Sequence, residues 1–115
     1  MSTLPNYTEH TKSITNELAT MRADQPDLMK AFGALSAAAT KEGALSTKTK
    51  ELIALALAVA ARCDACIGFH VRTLVKLGAT LEEVEETLGM CVYMGGGPSL
   101  MYTANALAAF KEFSQ

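Results

Sequence analysis

The chain has 115 residues, a hydrophobic share of 50% and a formal net charge of -2. This length fits one domain, 1–115, and the absence of clustered lysine and arginine with interleaved aromatics excludes an electrostatic surface for nucleic acid. With its 8 glycines added, the apolar share exceeds the about 45 to 50% usual for soluble domains, so we expect apolar surface to be buried between the subunits of a homo-oligomer.

The sequence indicates neither a membrane-spanning segment nor a secretory signal peptide. The N-terminal segment lacks the apolar core of a signal peptide, and the longest apolar run, Leu52 to Ala61, is too short to span a bilayer. We therefore predict a cytoplasmic protein with no membrane partner. In that reducing compartment a C-x-x-C pair is more often catalytic or metal-binding than structural.

Helix signals dominate the sequence and strand signals are nearly absent, so the predicted class is an all-α bundle of about six helices. The first helix is predicted from about Thr8 to Ala23 and ends before Pro26. The second is marked by apolar residues at helical spacing: Leu28, Phe32 and Leu35.

The third predicted helix is capped by Ser46 and contains Leu52 to Ala61, which is apolar on every side and indicates a helix surrounded by protein. The helical periodicity continues to Leu77. A single rod of that length would extend beyond a domain of this size, so we predict a break near Arg62 to Asp64. A fourth helix then runs to Gly78, a residue that favours helix ends.

The fifth predicted helix opens on TLEE, in which Thr80 and Glu83 form a capping box. GGGP, residues 95–98, ends it and begins a sixth helix from about Pro98 to Phe113. The predicted buried stripe of the fifth helix is Leu81, Val84, Leu88 and Cys91. Three methionines near the glycine turn are predicted to line either a substrate pocket or a subunit interface: Met90, Met94 and Met101.

The stretch RCDACIGFH, residues 62–70, carries most of the chemistry-bearing side chains. Cys63, Cys66 and His70 are spaced i, i+3 and i+7, so they project from one face of the fourth helix. At a helix start, free amide groups and the macrodipole favour the thiolate form of cysteine. The alternative is an ordinary core stripe that continues through Leu74.

Glu51 is predicted to face His70, because a chain that turns back near Arg62 places these two residues opposite each other. The carboxylate would orient the imidazole, and His70 would take the proton of Cys66. The alternative for Glu51 is a solvated acid in the first turn of its helix.

Two thiols at this spacing predict attack on a peroxide or a disulfide, closure of a Cys63–Cys66 disulfide, and re-reduction by an external dithiol. No cofactor is predicted. One alternative is a zinc site formed by Cys63, Cys66, His70 and Glu51. Another is a binding or assembly module that makes no use of the thiol pair. Cys91 is predicted to be inert core.

The pattern E-x11-C-x2-C-x3-H, followed by LGATLEEVEE and MGGGPSLMYTANAL, resembles the alkyl hydroperoxidase D (AhpD) and carboxymuconolactone decarboxylase family over roughly Leu35 to Phe110. The resemblance implies an all-helical fold assembled as trimers or hexamers, and a thiol peroxidase reaction of the peroxiredoxin type. It also implies that Cys66 reacts with the peroxide, that Cys63 resolves the product, and that Glu51 and His70 form the relay. The external reductant would be a lipoyl-type or other dithiol.

One position departs from that pattern. Ala65 stands where the best-studied alkylhydroperoxidase branch has a histidine, which leaves the strength of any peroxidase activity open. The decarboxylase branch proper does not rely on the cysteine pair, so the pair argues against lactone decarboxylation. A general thiol-disulfide oxidoreductase, or a carboxymuconolactone decarboxylase-like protein with another activity, are the alternatives.

Overall fold

The computed structural model describes residues 3–115, which form six α-helices and no strand. In chain order the helices are α1 (Tyr7–Asp24), α2 (Pro26–Thr40), α3 (Thr47–Ala60), α4 (Asp64–Lys76), α5 (Leu81–Gly95) and α6 (Gly97–Phe113). The all-α prediction is confirmed. In this part of the chain no helix combines the length and the apolar character needed to cross a bilayer.

The starts of α3 and α5 are capped by side chains that accept free backbone amides. The hydroxyl of Ser46 accepts the N–H of Thr49 at the start of α3, as predicted. Thr80 and Glu83 form the predicted capping box at the start of α5. Each such cap contributes about 1 kcal/mol to the stability of its helix.

The break between α3 and α4 is a Schellman turn centred on Arg62. Arg62 adopts a positive φ of 56°, and the N–H of Cys63 bonds the carbonyl of Ala58 at 3.0 Å. The end of α4 is built in the same way, with Gly78 at φ 78° in the corresponding position. The predicted break near Arg62 to Asp64 is therefore confirmed, and it turns α4 back along α3.

Helix α4 lies at the centre of the bundle, where it packs against α1, α3 and α6. Three of its side chains are fully buried: Ile67, Val71 and Leu74. Leu55 and Val59 of α3 meet them in the same core cluster. Burial of each such side chain stabilises the fold by about 1.5 to 3 kcal/mol.

The prediction that α3 is surrounded by protein is wrong for the single chain. Leu57 is 65% exposed and Ile53 is 45% exposed, because they lie on a side of α3 that the other helices leave uncovered. Leu81, predicted to be buried, is 43% exposed at the first turn of α5. Val84, Leu88 and Cys91 are buried as predicted.

Helix α2 has no buried residue at all. The apolar residues that mark this helix in the sequence are 54%, 66% and 64% exposed: Leu28, Phe32 and Leu35. Among the six described helices, α2 contacts only α1 and α3. The helix itself was predicted correctly, and its apolar side is open in one copy of the chain.

Candidate active site

The two cysteines of the C-x-x-C pair lie at the start of α4 and are joined by a disulfide. Cys63 is the N-cap residue and so stands just outside the helix, a small correction to its predicted place inside it. Its Sγ accepts the N–H of Cys66 at 3.2 Å. The sulfur of Cys63 therefore occupies the position where a capping oxygen is usual, among amide groups that favour negative charge.

Glu51 and His70 meet across the α3–α4 contact, as predicted. Oε2 of Glu51 lies 2.6 Å from Nδ1 of His70. Glu51 is only 6% exposed, so the alternative of a solvated acid is wrong. When Nδ1 donates its proton to the carboxylate, Nε2 remains free to accept another.

The imidazole also lies on the sulfur side of α4. His70 follows Cys66 by one helical turn, so their side chains share a face of the helix. The His70 side chain is 34% exposed, whereas its partner carboxylate is 8% exposed. A buried acid thus orients a ring that is reachable from solvent.

A polar cluster that the sequence did not reveal is centred on Asp64, the residue that follows Cys63 in the chain. The hydroxyl of Tyr7 donates to Oδ1 of Asp64 at 2.7 Å, and Nδ2 of Asn105 donates to the same oxygen at 3.1 Å. Burial, followed by the hydrogen bond and negative charge of Asp64, raises the pKa of Tyr7 well above its usual range. The three residues come from α1, α4 and α6, and no local pattern links them.

Helix α1 is held tightly against α4 next to this cluster. A Cβ placed on Gly68 would lie 2.7 Å from Cγ2 of Thr11 and 3.1 Å from Cδ1 of Tyr7. Tyr7 and Thr11 are both fully buried. The absence of a side chain at Gly68 is what allows the close approach.

The carboxylate of Glu112, near the end of α6, holds the first turn of α1. It accepts the backbone N–H of Tyr7 at 3.0 Å and that of Thr8 at 2.6 Å, and it also accepts the hydroxyl of Thr8. Burial opposes ionisation of this carboxyl, but the hydrogen bonds from Thr8 and Tyr7 outweigh it and lower the pKa of Glu112.

The remaining predicted residues lie elsewhere. Cys91 is a free thiol, 7% exposed, whose pKa is raised by burial. Met90 and Met94 line an apolar pocket of about 320 Å³ together with Cys91. Among residues 3–115 no three His, Cys, Asp or Glu side chains are grouped closely enough to hold a metal ion, so the zinc alternative has no supporting geometry.

Residues 26–110 match the model of the carboxymuconolactone decarboxylase family. An uncharacterised protein of Cupriavidus necator is 42% identical over 97 residues, covering 84% of this chain and 86% of that protein. An uncharacterised protein of Haemophilus influenzae is 36% identical over 105 residues, covering 91% of this chain and 93% of that protein.

Two solved structures share the fold. A carboxymuconolactone decarboxylase family protein of Legionella pneumophila superposes with a TM-score of 0.93 at 64% identity, covering 95% of this chain and 97% of that one. A family member from Thermotoga maritima gives a TM-score of 0.68 at 34% identity, covering 73% and 87%. Because the family model and these relatives match most of its length, the chain belongs to the carboxymuconolactone decarboxylase family.

Proposed function

We propose that this protein is a thiol-dependent peroxidase of the alkylhydroperoxidase type, with Cys66, Cys63, Glu51 and His70 as its catalytic residues. The observation that carries the proposal is the buried Glu51–His70 contact of 2.6 Å, one helical turn from a cysteine pair that forms a disulfide. The Thermotoga maritima relative is regarded as a candidate for a role in antioxidative response, which supports the same chemistry.

The reaction begins in the reduced protein with proton transfer from the Cys66 thiol to Nε2 of His70, directly or through water. The Cys66 thiolate attacks one oxygen of the hydroperoxide, the O–O bond breaks, and the departing alkoxide takes a proton from the imidazolium to give the alcohol. Cys66 is left as a sulfenic acid. Cys63 then attacks the Cys66 sulfur, a disulfide forms and water leaves.

The cycle closes when an external dithiol reduces the disulfide and becomes a disulfide itself. Attack at Cys66 makes Cys63 the leaving group, and a thiolate of lower basicity leaves faster. The N–H of Cys66, which already points at the Cys63 sulfur, stabilises the charge that develops there. The N-cap position of Cys63 therefore suits both its resolving role and its departure.

The test is turnover with an organic hydroperoxide and a dithiol reductant. Cys66→Ser and Cys63→Ser should each abolish it, whereas the matched variant Cys91→Ser should keep it, because that buried thiol lies outside the pair. Mass spectrometry after one equivalent of hydroperoxide should find the Cys63–Cys66 bridge in the wild type. Full activity in the Cys63 and Cys66 variants would refute the proposal.

A general thiol-disulfide oxidoreductase is the second candidate function. The hydrogen bond from the N–H of Cys66 to the Cys63 sulfur favours it, because this contact assists disulfide exchange with any substrate. Ala65 points the same way, since the histidine of the peroxidase branch is missing. Rates with a hydroperoxide and with a small disulfide, measured on the same reduced protein, separate the two functions.

We also propose that the protein is a homo-oligomer, a trimer or a hexamer. The chain exposes 7422 Å², roughly 1,400 Å² more than a folded monomer of this mass usually does. A standard interface takes about 800 Å² from each partner, so the excess is enough for more than one interface per subunit. The exposed apolar side chains include those of Phe32 and Leu35 on α2 and of Leu57 on α3.

The oligomer is tested by light scattering coupled to gel filtration. The wild type should have three or six times the subunit mass, and Phe32→Glu should lower it, because a carboxylate would then lie in the apolar face of α2. Thr20→Glu, on an exposed polar position of α1, is the control. A monomeric wild type would contradict the proposal.

A further inference from the structure

We infer that Tyr7 and Asn105 are positioning residues which hold the carboxylate of Asp64 and thereby set the reduction potential of the Cys63–Cys66 pair. The inference rests on the proposed redox function of that pair and adds residues from two other helices to it. Asp64 lies between the two cysteines in sequence and is the first residue of α4. No other acidic residue is so near the sulfurs along the chain.

An aspartate at this position acts on the sulfurs in two ways. Its negative charge opposes the formation of a thiolate nearby. Its carboxylate oxygens are also good acceptors for the free amide groups at the start of a helix. One of those amides, the N–H of Cys66, donates a hydrogen bond to the Cys63 sulfur. A carboxylate free to turn toward the helix start would therefore compete with the sulfur and destabilise the reduced pair.

The contacts of Asp64 prevent this. Oδ1 accepts the hydroxyl of Tyr7 at 2.7 Å and Nδ2 of Asn105 at 3.1 Å, so donors from α1 and α6 hold the carboxylate. Tyr7 is fully buried, and its raised pKa keeps the hydroxyl a neutral donor. Two hydrogen bonds to a half-buried carboxylate reduce the negative charge felt nearby.

Tyr7 is itself fixed from three sides, which is what a positioning residue requires. Its backbone N–H donates to Oε1 of Glu112 at 3.0 Å. Its ring lies against Gly68 of α4, where a Cβ would be 3.1 Å from Cδ1. Its hydroxyl reaches Asp64, 57 residues away in the chain. The phenol therefore has little freedom to follow a moving carboxylate.

The inference predicts that two conservative substitutions shift the reduction potential of the Cys63–Cys66 pair in opposite directions. Tyr7→Phe removes a donor and leaves the charge, so the reduced thiolate form is disfavoured and the disulfide becomes harder to reduce. Asp64→Asn removes the charge and keeps a carbonyl that can accept the hydroxyl, so the disulfide becomes easier to reduce. A purely structural tether would loosen in both variants and shift both in one direction.

The experiment measures the equilibrium constant of the Cys63–Cys66 pair with glutathione near neutral pH, with the fraction of disulfide read by alkylation and mass spectrometry. Tyr7→Phe should shift the constant by roughly threefold to tenfold toward the disulfide, and Asp64→Asn by a similar factor toward the dithiol. Asn105→Ala should shift it in the direction of Tyr7→Phe, by less. Tyr93→Phe, the same change on a tyrosine that is 79% exposed, is the matched control.

The inference would be overturned if the equilibrium constant shifted in the same direction in Tyr7→Phe and Asp64→Asn. It would also be overturned if the constant were unchanged in one or both of these variants. If Tyr7→Phe does not fold, as judged by its denaturation curve, Asn105→Ala and Asp64→Asn still carry the opposite-sign test. The measurement uses no peroxide. A protein without peroxidase activity therefore still gives an equilibrium constant, and failure of this inference is distinct from failure of the proposed function.

Discussion

Glu51 and His70, 19 residues apart in the chain, are joined by a 2.6 Å contact between Oε2 and Nδ1. The acid is 6% exposed and no donor other than the imidazole reaches its side chain in the part of the chain described, residues 3–115. A carboxylate in such a place is costly unless it is paired. The contact is therefore a fixed feature of the α3–α4 packing, and the imidazole is oriented by it.

Glu51→Gln tests what this orientation does for the thiol. Glutamine can still accept the Nδ1 proton, but it has no charge to stabilise the imidazolium, so proton transfer from Cys66 should weaken. We expect the alkylation rate of the reduced Cys66 thiol near neutral pH to fall by about tenfold, a typical effect of losing a partner that orients a histidine. Rates measured with iodoacetamide across pH provide the check.

The matched control for this prediction is Glu82→Gln, which removes the same charge from an exposed position on α5. It should leave the alkylation profile as it is in the wild type. An unchanged profile in Glu51→Gln as well would remove the relay from the proposed mechanism.

Gly68→Ala should destabilise the protein through a steric clash. A Cβ at this position would be 2.7 Å from Cγ2 of Thr11, closer than two carbons can approach, so α1 must move away from α4. Overpacking of this kind costs about 1 to 3 kcal/mol, and the gain in helix propensity offsets only part of it. Urea denaturation followed by circular dichroism measures the loss.

Gly89→Ala is the control for the same substitution in a helix interior. Gly89 is exposed on α5 and has nothing within 4 Å of an added Cβ. Only the higher helix propensity of alanine then matters, so the free energy of unfolding of this variant should rise by about 0.5 to 1 kcal/mol. If Gly68→Ala were as stable as Gly89→Ala, the close α1–α4 approach would be wrong.

Arg62→Gly should stabilise the protein by about 1 kcal/mol. Arg62 adopts φ 56°, a left-handed conformation that costs a non-glycine residue about 1 to 2 kcal/mol, whereas glycine adopts it without strain. The greater freedom of glycine in the unfolded chain offsets part of the gain. The midpoint of urea denaturation should rise in the variant.

Gly78→Ala provides the reciprocal measurement, because Gly78 holds the corresponding place at the end of α4 with φ 78°. Alanine there should lose about 1 kcal/mol. A destabilised Arg62→Gly would mean that the arginine side chain makes a contribution larger than its backbone strain.

The Glu51–His70 contact between α3 and α4 could be predicted from the sequence because local features of these two helices determine it. The apolar period, the cap at Ser46 and the break at Arg62 together set two antiparallel helices, and their register brings Glu51 opposite His70. Nothing comparable encodes the contacts of Asp64. Its partners come from residues 57 and 41 positions away, and their arrangement depends on how three helices pack.

Burial was harder to predict than helicity for a related reason. A periodic apolar pattern indicates that a helix face is covered, but it does not say by which chain. Phe32 is 66% exposed and Leu57 is 65% exposed although both follow the pattern of buried residues. The pattern therefore predicts the helices and their apolar faces, whereas the exposure of Phe32 and Leu57 in the single chain depends on how the helices pack.

The last prediction concerns the dependence of stability on pH at Glu112. Hydrogen bonds from Thr8 and Tyr7 lower the pKa of this carboxyl in the folded protein, so the unfolded state binds the proton more readily. The stabilisation from Glu112 is therefore fully present above its unfolded pKa and is lost as the pH falls through the lower, folded value. The difference in free energy of unfolding between the wild type and Glu112→Gln should be largest at neutral pH and shrink below about pH 4.

Chemical denaturation of both proteins between neutral pH and about pH 3 measures that difference. Glu86→Gln, on an exposed position of α5, is the control and should show no comparable narrowing of the gap. A gap between the wild type and Glu112→Gln that stays constant over this range would mean that the glutamate holds the first turn of α1 through its shape alone. A difference in free energy of unfolding that shrinks at low pH would mean that the ionised carboxylate stabilises the first turn of α1. That carboxylate fixes the backbone of Tyr7 and hence the hydroxyl that donates to Asp64.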